Sequence, residues 1–428
     1  MLSANQRPPP TPHTPRVAAS SAIASSAIAS SAIASLAAAE PSAFNAPFWL
    51  TYVANTSMMT AVSLLYRYSD FVRGLGGDEL QLGLIVGAGM VGSLAMRTFQ
   101  GVGIDTHGAR KIWIGSAALV IACCFAHLTL TTANGPAIFL VRIATQSGIA
   151  GFFGATISFV SGRAPQMRVV EVVGTLGTSG FIGTVLGTEL GDWLLGADNT
   201  PSRMFMLAGS VACVSLACGW LARDGVLRRP RRNRPPWFWL VARYHPGALM
   251  LMGVSAGFGL SIPTVYVRPF TEDLGIESIG WFFVPYMTIA FGSRLALRGL
   301  PAALGLRAMA AAGGASLAAG MLTMLVVRQG WHLLLPAVFM GVGHAIMFPT
   351  VVAGGGAAFP ARYRGLGTTF MLAMFDLGGF LAYVSVGAMV VGAKHLGLPA
   401  YHTMFALVAG LLGIAAGVYI WMTRVRKV

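Results

Sequence analysis

The chain carries the polar stretch Gly101-Val-Gly-Ile-Asp-Thr-His-Gly-Ala-Arg-Lys111 between two long apolar runs, residues 80–100 and 112–131. In a helix that rises about 1.5 Å per residue, each run is long enough to cross a hydrocarbon core roughly 30 Å thick. The two outer glycines of the stretch predict a tight turn, since glycine adopts backbone conformations that other residues avoid. The pattern therefore predicts two membrane-spanning helices joined by a short charged connection.

The composition indicates an integral membrane protein. Of the 428 residues 55% are hydrophobic and only 10% are charged, whereas about a quarter of a soluble domain is charged. The basic residues that give the net charge of +15 lie between the apolar runs and not along one face. Their placement therefore indicates membrane topology and not nucleic-acid binding. The sequence contains no phosphate-binding loop and no metal-ligand spacing. We therefore expect neither a cofactor nor an enzyme.

Twelve apolar stretches follow one another along the chain. Most of the 29 lysines and arginines fall on the side of the membrane that holds the amino terminus, which predicts that both termini are cytoplasmic. We expect a multi-pass protein of the cell membrane, or of the inner membrane in a Gram-negative cell. The stretches are 48–66, 80–100, 112–131, 136–160, 172–193, 203–222, 247–268, 278–297, 308–327, 332–353, 367–391 and 403–423.

Two segments differ from the apolar stretches. Residues 1–44 contain three copies of Ser-Ala-Ile-Ala-Ser and predict a disordered, low-complexity cytoplasmic tail, with an organelle transit peptide as the alternative. Residues 223–246 form a basic linker, which we expect to face anionic lipid more readily than nucleic acid. The linker divides the rest of the chain into two six-helix halves, residues 45–222 and 247–428.

The second half repeats part of the first. Gly108-Ala-Arg110 recurs as Gly305-Leu-Arg307, and the segment 92–97 recurs as 292–298, where both copies start with Gly-Ser and end with arginine. A weak repeat of this kind is typical of transporters built from two related bundles.

The opening stretch resembles the signature G-x-x-x-D-x-x-G-x-R/K between spans two and three of the major facilitator superfamily. Gly101, Asp105, Gly108 and Arg110 hold the places of the signature. The resemblance implies that they form, together with Arg97, a latch on one conformation of a carrier. An ordinary polar turn with positive charges on the cytoplasmic side is the alternative.

Glycines in the fifth stretch resemble the antiporter motif of the same superfamily, although Thr188 stands where the motif has proline. Close-packed glycines also let membrane helices approach without any such role. The region 364–379 resembles bacterial efflux members. Altogether the resemblance implies an all-α membrane fold of twelve transmembrane helices in two pseudo-symmetric six-helix bundles. The expected helix-packing glycines are Gly174, Gly183, Gly187 and Gly191.

Ionisable residues inside the apolar stretches are candidates for function, because an ionisable group in the membrane costs at least about 2.5 kcal/mol. We expect Arg142 and Glu189 to pair, with Arg142 either binding an anionic substrate or setting the electric field of the cavity. A purely structural ion pair is the alternative. Asp376 and His344 lie at nearly the same predicted depth, so we expect Asp376 to carry protons, with His344 and Glu189 as further candidates. Packing through hydrogen bonds is the alternative for His344.

Polar residues on the first and seventh stretches are candidates for a substrate cavity. These are Tyr52, Asn55 and Tyr266, together with Arg142 on the fourth stretch. By resemblance, spans one, four, seven and ten line the cavity of the superfamily. A helix–helix contact is the alternative for each residue.

These features favour a secondary active transporter that moves a small organic solute by alternating access. We expect proton-coupled export, with a small-molecule substrate, protons and the lipid bilayer as partners and no nucleic acid. We also expect the protein to act as a monomer. A facilitator or importer of a small nutrient is the alternative, and a membrane enzyme or receptor is a third hypothesis.

Overall fold

A computed structural model describes residues 44–164, 168–195, 201–223, 236–297, 300–360 and 363–425. Residues 1–43 of the predicted amino-terminal tail and residues 224–235 of the basic linker lie outside these ranges. In the described part of the chain, all regular secondary structure is helical. The predicted all-α class is therefore confirmed.

The described residues contain fifteen α-helices, which we label in chain order. Each of the twelve apolar stretches coincides with a helix, and Pro263 begins the second half of the seventh stretch. The helices are α1 (Ala46–Leu64), α2 (Tyr68–Gly74), α3 (Glu79–His107), α4 (Ala109–His127), α5 (Pro136–Ser161), α6 (Val169–Leu195), α7 (Pro201–Leu221), α8 (Trp237–Tyr244), α9 (Leu249–Ser261), α10 (Pro263–Asp273), α11 (Gly280–Ala296), α12 (Leu300–Thr323), α13 (Leu334–Ala358), α14 (Arg364–His395) and α15 (Ala400–Val425).

Nine segments of the described residues are helical, long and apolar enough to cross a membrane. The helices α1, α6 and α11 fall outside this set. The helix α11 has only 17 residues. The helix α1 contains asparagine, threonine and serine, and α6 contains threonine, serine and three acidic residues. The chain is therefore a multi-pass membrane protein, and the count of twelve spans stays a prediction.

The sequence predicts a turn at both outer glycines of the opening stretch, but the chain turns at only one of them. Helix α3 continues through Gly101 and Asp105 to His107, so the tight turn expected at Gly101 is wrong. The chain turns at Gly108, whose φ of 89° suits glycine. Nothing before Gly108 blocks the helix, because the stretch contains no proline and polar side chains are tolerated at a helix end.

The internal repeat predicted from the sequence is present in the structure. Gly305 has a φ of 75°, close to that of Gly108, and each glycine is followed two residues later by an arginine. Arg110 donates hydrogen bonds to the carbonyls of Gly219 at 2.9 Å and Trp220 at 2.8 Å, at the end of α7. Arg307 donates to the carbonyl of Ile420 at 3.1 Å, near the end of α15. Both arginines thus hold the last helix of their half through backbone carbonyls near its end.

Most helix packing lies within each half of the sequence, and two helix pairs join the halves most extensively. The helix α3 packs against α14, and α6 packs against α11. Residues 46–428 form one compact unit. The division into two bundles at the basic linker stays a prediction.

Two of the four predicted packing glycines lie where α6 contacts α1. A Cβ atom on Gly183 would lie 2.6 Å from the carbonyl oxygen of Thr56, and one on Gly187 would lie 2.4 Å from that of Thr60. Gly174 has no such neighbour within 4 Å, and Gly191 has only ordinary contacts. Small residues at Gly183 and Gly187 let the two backbones approach closely.

We expect Gly187→Ala to destabilise the protein by about 1–3 kcal/mol relative to Gly174→Ala, because only the first adds a methyl group against a backbone. Both substitutions bring the same gain in helix propensity, about 1 kcal/mol, so their difference isolates the contact. Thermal unfolding of both variants in detergent measures this difference. Equal melting temperatures would show that the contact between α1 and α6 does not require glycine.

Candidate functional site

An ion pair between α3 and α14 joins the two halves of the sequence. The Nη2 atom of Arg97 lies 3.2 Å from Oδ1 of Asp376, and Arg97 Nε also donates to Oδ2. Ser93, one turn away on α3, donates its hydroxyl to Oδ2 at 2.9 Å. Asp376 is 4% exposed, so its charge depends on these three donors.

This pairing differs from the predicted roles of Arg97. The sequence places Arg97 in a latch with Asp105, but the structure pairs it with Asp376. The side chain of Asp105 lies outside the described part of the structure, and the latch stays a prediction. Of the other predicted latch residues, Arg110 binds the end of α7 and Gly108 forms the turn.

Arg142 is buried, and no ion pair among the described residues involves it. Its side chain on α5 is 7% exposed, and its Nε and Nη1 atoms are buried and make no hydrogen bond. The guanidinium lies 4.6 Å from the ring centroid of Tyr68, which is a cation–π contact. On α1, the buried Oδ1 atom of Asn55 also lacks a hydrogen bond. Both side chains therefore retain polar atoms that a ligand can satisfy.

Glu189 lies elsewhere. A Cβ atom on Gly280, the first residue of α11, would lie 2.2 Å from Glu189 Oε1, so this carboxylate sits against the start of α11. Among the described residues no ion pair joins Glu189 to Arg142. The predicted pair is not formed, because depth along two helices does not define which way their side chains face.

His344 and Asp376 also have separate partners. The Nδ1 atom of His344 lies 2.8 Å from the hydroxyl oxygen of Tyr286 on α11. The rings of Phe181 and Phe348 pack on His344 with centroids 6.0 Å and 6.1 Å away. This setting is typical of a packed histidine, and a role for His344 in proton transfer stays a prediction.

The two tyrosines predicted for the cavity take part in helix contacts. The hydroxyl of Tyr52 lies 2.8 Å from that of Thr178 on α6. The hydroxyl of Tyr266 donates to the carbonyl of Tyr383 at 3.0 Å. The structure thus favours the packing alternative for both tyrosines.

A buried cluster of four ions joins the halves at the end of the bundle that holds residues 65–78. Arg67 is 3% exposed, and its Nη2 atom lies 2.5 Å from Oδ1 of Asp192. Arg268 Nε lies 3.1 Å from Oδ2 of Asp70, which is also 3.6 Å from Arg67 Nη1. Asp192 accepts a further hydrogen bond from Ser278 at 2.6 Å. The two positive and two negative charges balance within this ion cluster.

More exposed ion pairs surround the ion cluster. Arg73 Nη1 lies 2.6 Å from Glu272 Oε2, and Lys394 Nζ lies 2.8 Å from Glu79 Oε1. Tyr401 donates to the same Glu79 oxygen at 3.2 Å. Each contact crosses between the halves. The halves are therefore held together at this end, although solvent screens the exposed pairs.

Sequence reasoning missed the ion cluster and one further cation, Arg294 on α11. Arg67 and Arg268 lie at the ends of apolar stretches, where basic residues are typical topology signals. Asp192 lies near the end of the fifth apolar stretch, and its position in the sequence indicates no partner. For Arg294 a signal existed, because it lies eleven residues before Gly305, just as Arg97 lies eleven before Gly108.

The helical membrane fold, its internal repeat and the ions buried between its halves define a multi-pass transport protein. The sequence matches the model of the Major Facilitator Superfamily over residues 48–383. The chain therefore belongs to the Major Facilitator Superfamily. It is a transporter and not an enzyme.

One curated relative is the 3-(3-hydroxy-phenyl)propionate transporter of Escherichia coli (strain K12), which is 28% identical over 193 residues. This match spans 43% of the chain and 45% of the relative, so the chain matches less than half the length of this relative.

Solved structures share the fold at low sequence identity. The nucleoside transporter NupG aligns with a TM-score of 0.72 at 13% identity, over 89% of this chain and 99% of that chain. A D-xylose-proton symporter aligns with a TM-score of 0.67 at 14% identity, over 89% of this chain and 97% of that chain. These likenesses establish the fold.

We expect Asp376→Asn to destabilise the protein by about 3–5 kcal/mol, because it leaves Arg97 without a counter-charge. The double variant Arg97→Gln, Asp376→Asn removes both charges, so it is expected to be more stable than Asp376→Asn alone. Thermal unfolding of the wild type, both single variants and the double variant measures the coupling. Additive effects of the two substitutions would contradict the ion pair.

We expect Asp192→Asn to open the end of the bundle that the ion cluster holds, because Arg67 then lacks the carboxylate that links it to the second half. Spin labels at Gly74 and Asp273, one in each half, report the separation in a background with all four cysteines replaced by alanine. A longer distance should gain population in Asp192→Asn. The control, Glu171→Gln, removes an exposed carboxylate that pairs with Arg168 three residues away and should leave the distance distribution unchanged. The same distribution in both variants would contradict the prediction.

Proposed function

We propose that this protein takes up a small organic anion together with protons, by alternating access of two six-helix bundles at residues 45–222 and 247–428. In this proposal twelve spans cross the cell membrane with both termini in the cytoplasm, and the protein acts as a monomer. The observation that carries the proposal is the unpaired guanidinium of Arg142.

A buried cation without a partner is costly. The penalty for removing an ion from water amounts to several kcal/mol even after the protein relaxes. Arg142 recovers only part of this from the ring of Tyr68, since such a contact is worth about 2 kcal/mol when desolvated. A carboxylate of the substrate would supply the missing charge and accept the free N–H groups. The site therefore favours an anion over a neutral solute.

The curated relative supports the same substrate class. Its name states that it transports 3-(3-hydroxy-phenyl)propionate, an aromatic carboxylate. The match covers under half of each chain, so we take from it the class of substrate and not its identity.

Coupling to protons rests on Asp376. A proton on this carboxylate would remove the charge that holds Arg97, and the contact between α3 and α14 would lose its ion pair. Helix α3 packs against both α5, which carries Arg142, and α14, which carries Asp376. An anion bound at Arg142 would then favour protonation of Asp376, because like charges disfavour each other.

We propose uptake in place of the export that the glycine motif predicts. Gly183 and Gly187 serve the contact of α6 with α1, while Asp192 belongs to the ion cluster. The motif therefore gives little reason to expect an antiporter. One proton carried with each negative charge makes uptake electrically neutral and lets an alkaline interior drive accumulation.

We expect Arg142→Gln to weaken binding of 3-phenylpropionate about 10- to 100-fold, which corresponds to the 1.5–3 kcal/mol of a hydrogen bond to a charged group. Binding to purified protein is followed by thermal shift, with neutral 3-phenylpropionamide as the matched ligand. The variant Arg168→Gln, which removes a surface cation, serves as control. Equal binding of the acid and the amide by the wild type would overturn the proposal.

In proteoliposomes we expect an inward proton gradient to drive accumulation of 3-phenylpropionate by the wild type. Asp376→Asn should abolish the dependence on the gradient, because the amide cannot take up the proton. Ser93→Ala removes only the hydroxyl that binds Asp376, so it should keep the coupling. Gradient-driven accumulation by Asp376→Asn would exclude Asp376 as the proton carrier.

A further inference from the structure

Arg294 is a second cation without a partner, and it lies between the other pair of helices that joins the halves. Its Nε atom is buried and makes no hydrogen bond. The guanidinium lies 5.0 Å from the ring centroid of Phe181 on α6. Among the described residues, no hydrogen bond or ion pair involves Arg294.

The distance to the glycines Gly108 and Gly305 relates Arg294 to Arg97. Arg97 lies eleven residues before Gly108, which ends α3, and Arg294 lies eleven residues before Gly305, which forms a kink within α12. Both glycines have a positive φ. Each arginine also points across the boundary between the halves, Arg97 from α3 toward α14 and Arg294 from α11 toward α6. On α14 the partner is the carboxylate of Asp376. On α6 the corresponding neighbour is the uncharged ring of Phe181.

The surroundings of Arg294 are aromatic and offer no anion. The ring of Phe181 packs against Phe291 and His344, with centroid distances of 6.2 Å and 6.0 Å. His344 is in turn hydrogen-bonded to Tyr286. An aromatic wall next to an uncompensated guanidinium suits a ligand that combines an apolar body with an anionic group.

We propose that Arg294 is a second anion-binding residue of the transport site, which receives a carboxylate of the substrate in the way that Arg97 receives Asp376. This inference rests on the proposed function and extends it to the substrate class. Arg142 and Arg294 together leave two positive charges uncompensated. The site therefore favours an organic acid with two carboxylates over one with a single carboxylate.

Gly177 on α6 makes a direct test possible. A Cβ atom placed there would meet a single neighbour, the Nη1 atom of Arg294 at 3.7 Å. Gly177→Asp would thus give Arg294 an internal carboxylate without steric conflict. Gly177→Asn has the same shape without the charge and serves as the matched control.

The experiment measures binding of 3-(4-carboxyphenyl)propionate and of 3-phenylpropionate to purified full-length variants by thermal shift. We expect the wild type to bind the diacid about tenfold or more tightly than the monoacid, as a second charge-assisted contact implies. Arg294→Gln and Gly177→Asp should both remove this preference, while Gly177→Asn should keep it. The melting temperature of Gly177→Asp without ligand should rise above that of Gly177→Asn, because Arg294 gains a counter-charge.

The outcomes separate this inference from the proposed function. If the wild type binds these acids and Arg294→Gln or Gly177→Asp keeps the full preference for the diacid, the role of Arg294 is overturned and the proposed function stands. If Arg294→Gln does not fold, the pair Gly177→Asp and Gly177→Asn decides in the same way. If the wild type binds neutral amides as well as acids, the proposed function fails, and the role of Arg294 fails with it.

Discussion

A charge buried between membrane helices needs a partner, and this constraint organises the structure. Removing an ion from water costs several kcal/mol, which an opposite charge in good geometry can offset. Arg97 and Asp376 meet this requirement between α3 and α14. The ion cluster of Arg67, Asp70, Asp192 and Arg268 meets it at one end of the bundle. Both sets join the two halves, so they tie the buried charges to the conformation of the whole protein.

Close backbone approach makes the ion pair between α3 and α14 possible. A Cβ atom on Gly83 of α3 would lie 2.3 Å from the carbonyl oxygen of Tyr383, and one on Gly387 of α14 would lie 2.6 Å from that of Glu79. Larger residues at these two positions would separate the helices. Small residues thus set the distance between the halves. The charged side chains further along the same helices can then meet.

The unpaired arginines complement this arrangement. Arg142 and Arg294 lack the counter-charge that Arg97 has, although each lies in the same helical core. In the proposed mechanism, the substrate anion supplies the charge that these arginines lack, while a proton cancels the charge of Asp376. Binding of the substrate and binding of the proton would therefore both change the net charge of the buried ionisable groups. The coupling between them requires no direct contact.

The sequence by itself determined the class of the protein and the order of its helices. Apolar length and composition indicate membrane helices, because a hydrocarbon core excludes polar backbone and charge wherever they occur along a chain. The superfamily signature and the repeat of Gly108 and Gly305 are likewise local patterns. The sequence also singled out Asp376 and Arg142, since an ionisable residue inside an apolar run is conspicuous without any structure.

The tertiary structure alone decided which of these residues meet. Depth along a helix predicted that Arg142 pairs with Glu189, and among the described residues this pair does not form. Asp376 and His344, predicted at nearly the same depth, have separate partners. Side chains on a helix point in directions that differ by about 100° per residue, and partners come from helices far apart in the sequence. The packing of α3 on α14 and of α6 on α11 therefore determines that Asp376 binds Arg97 and that no acidic side chain in the described part of the chain pairs with Arg294.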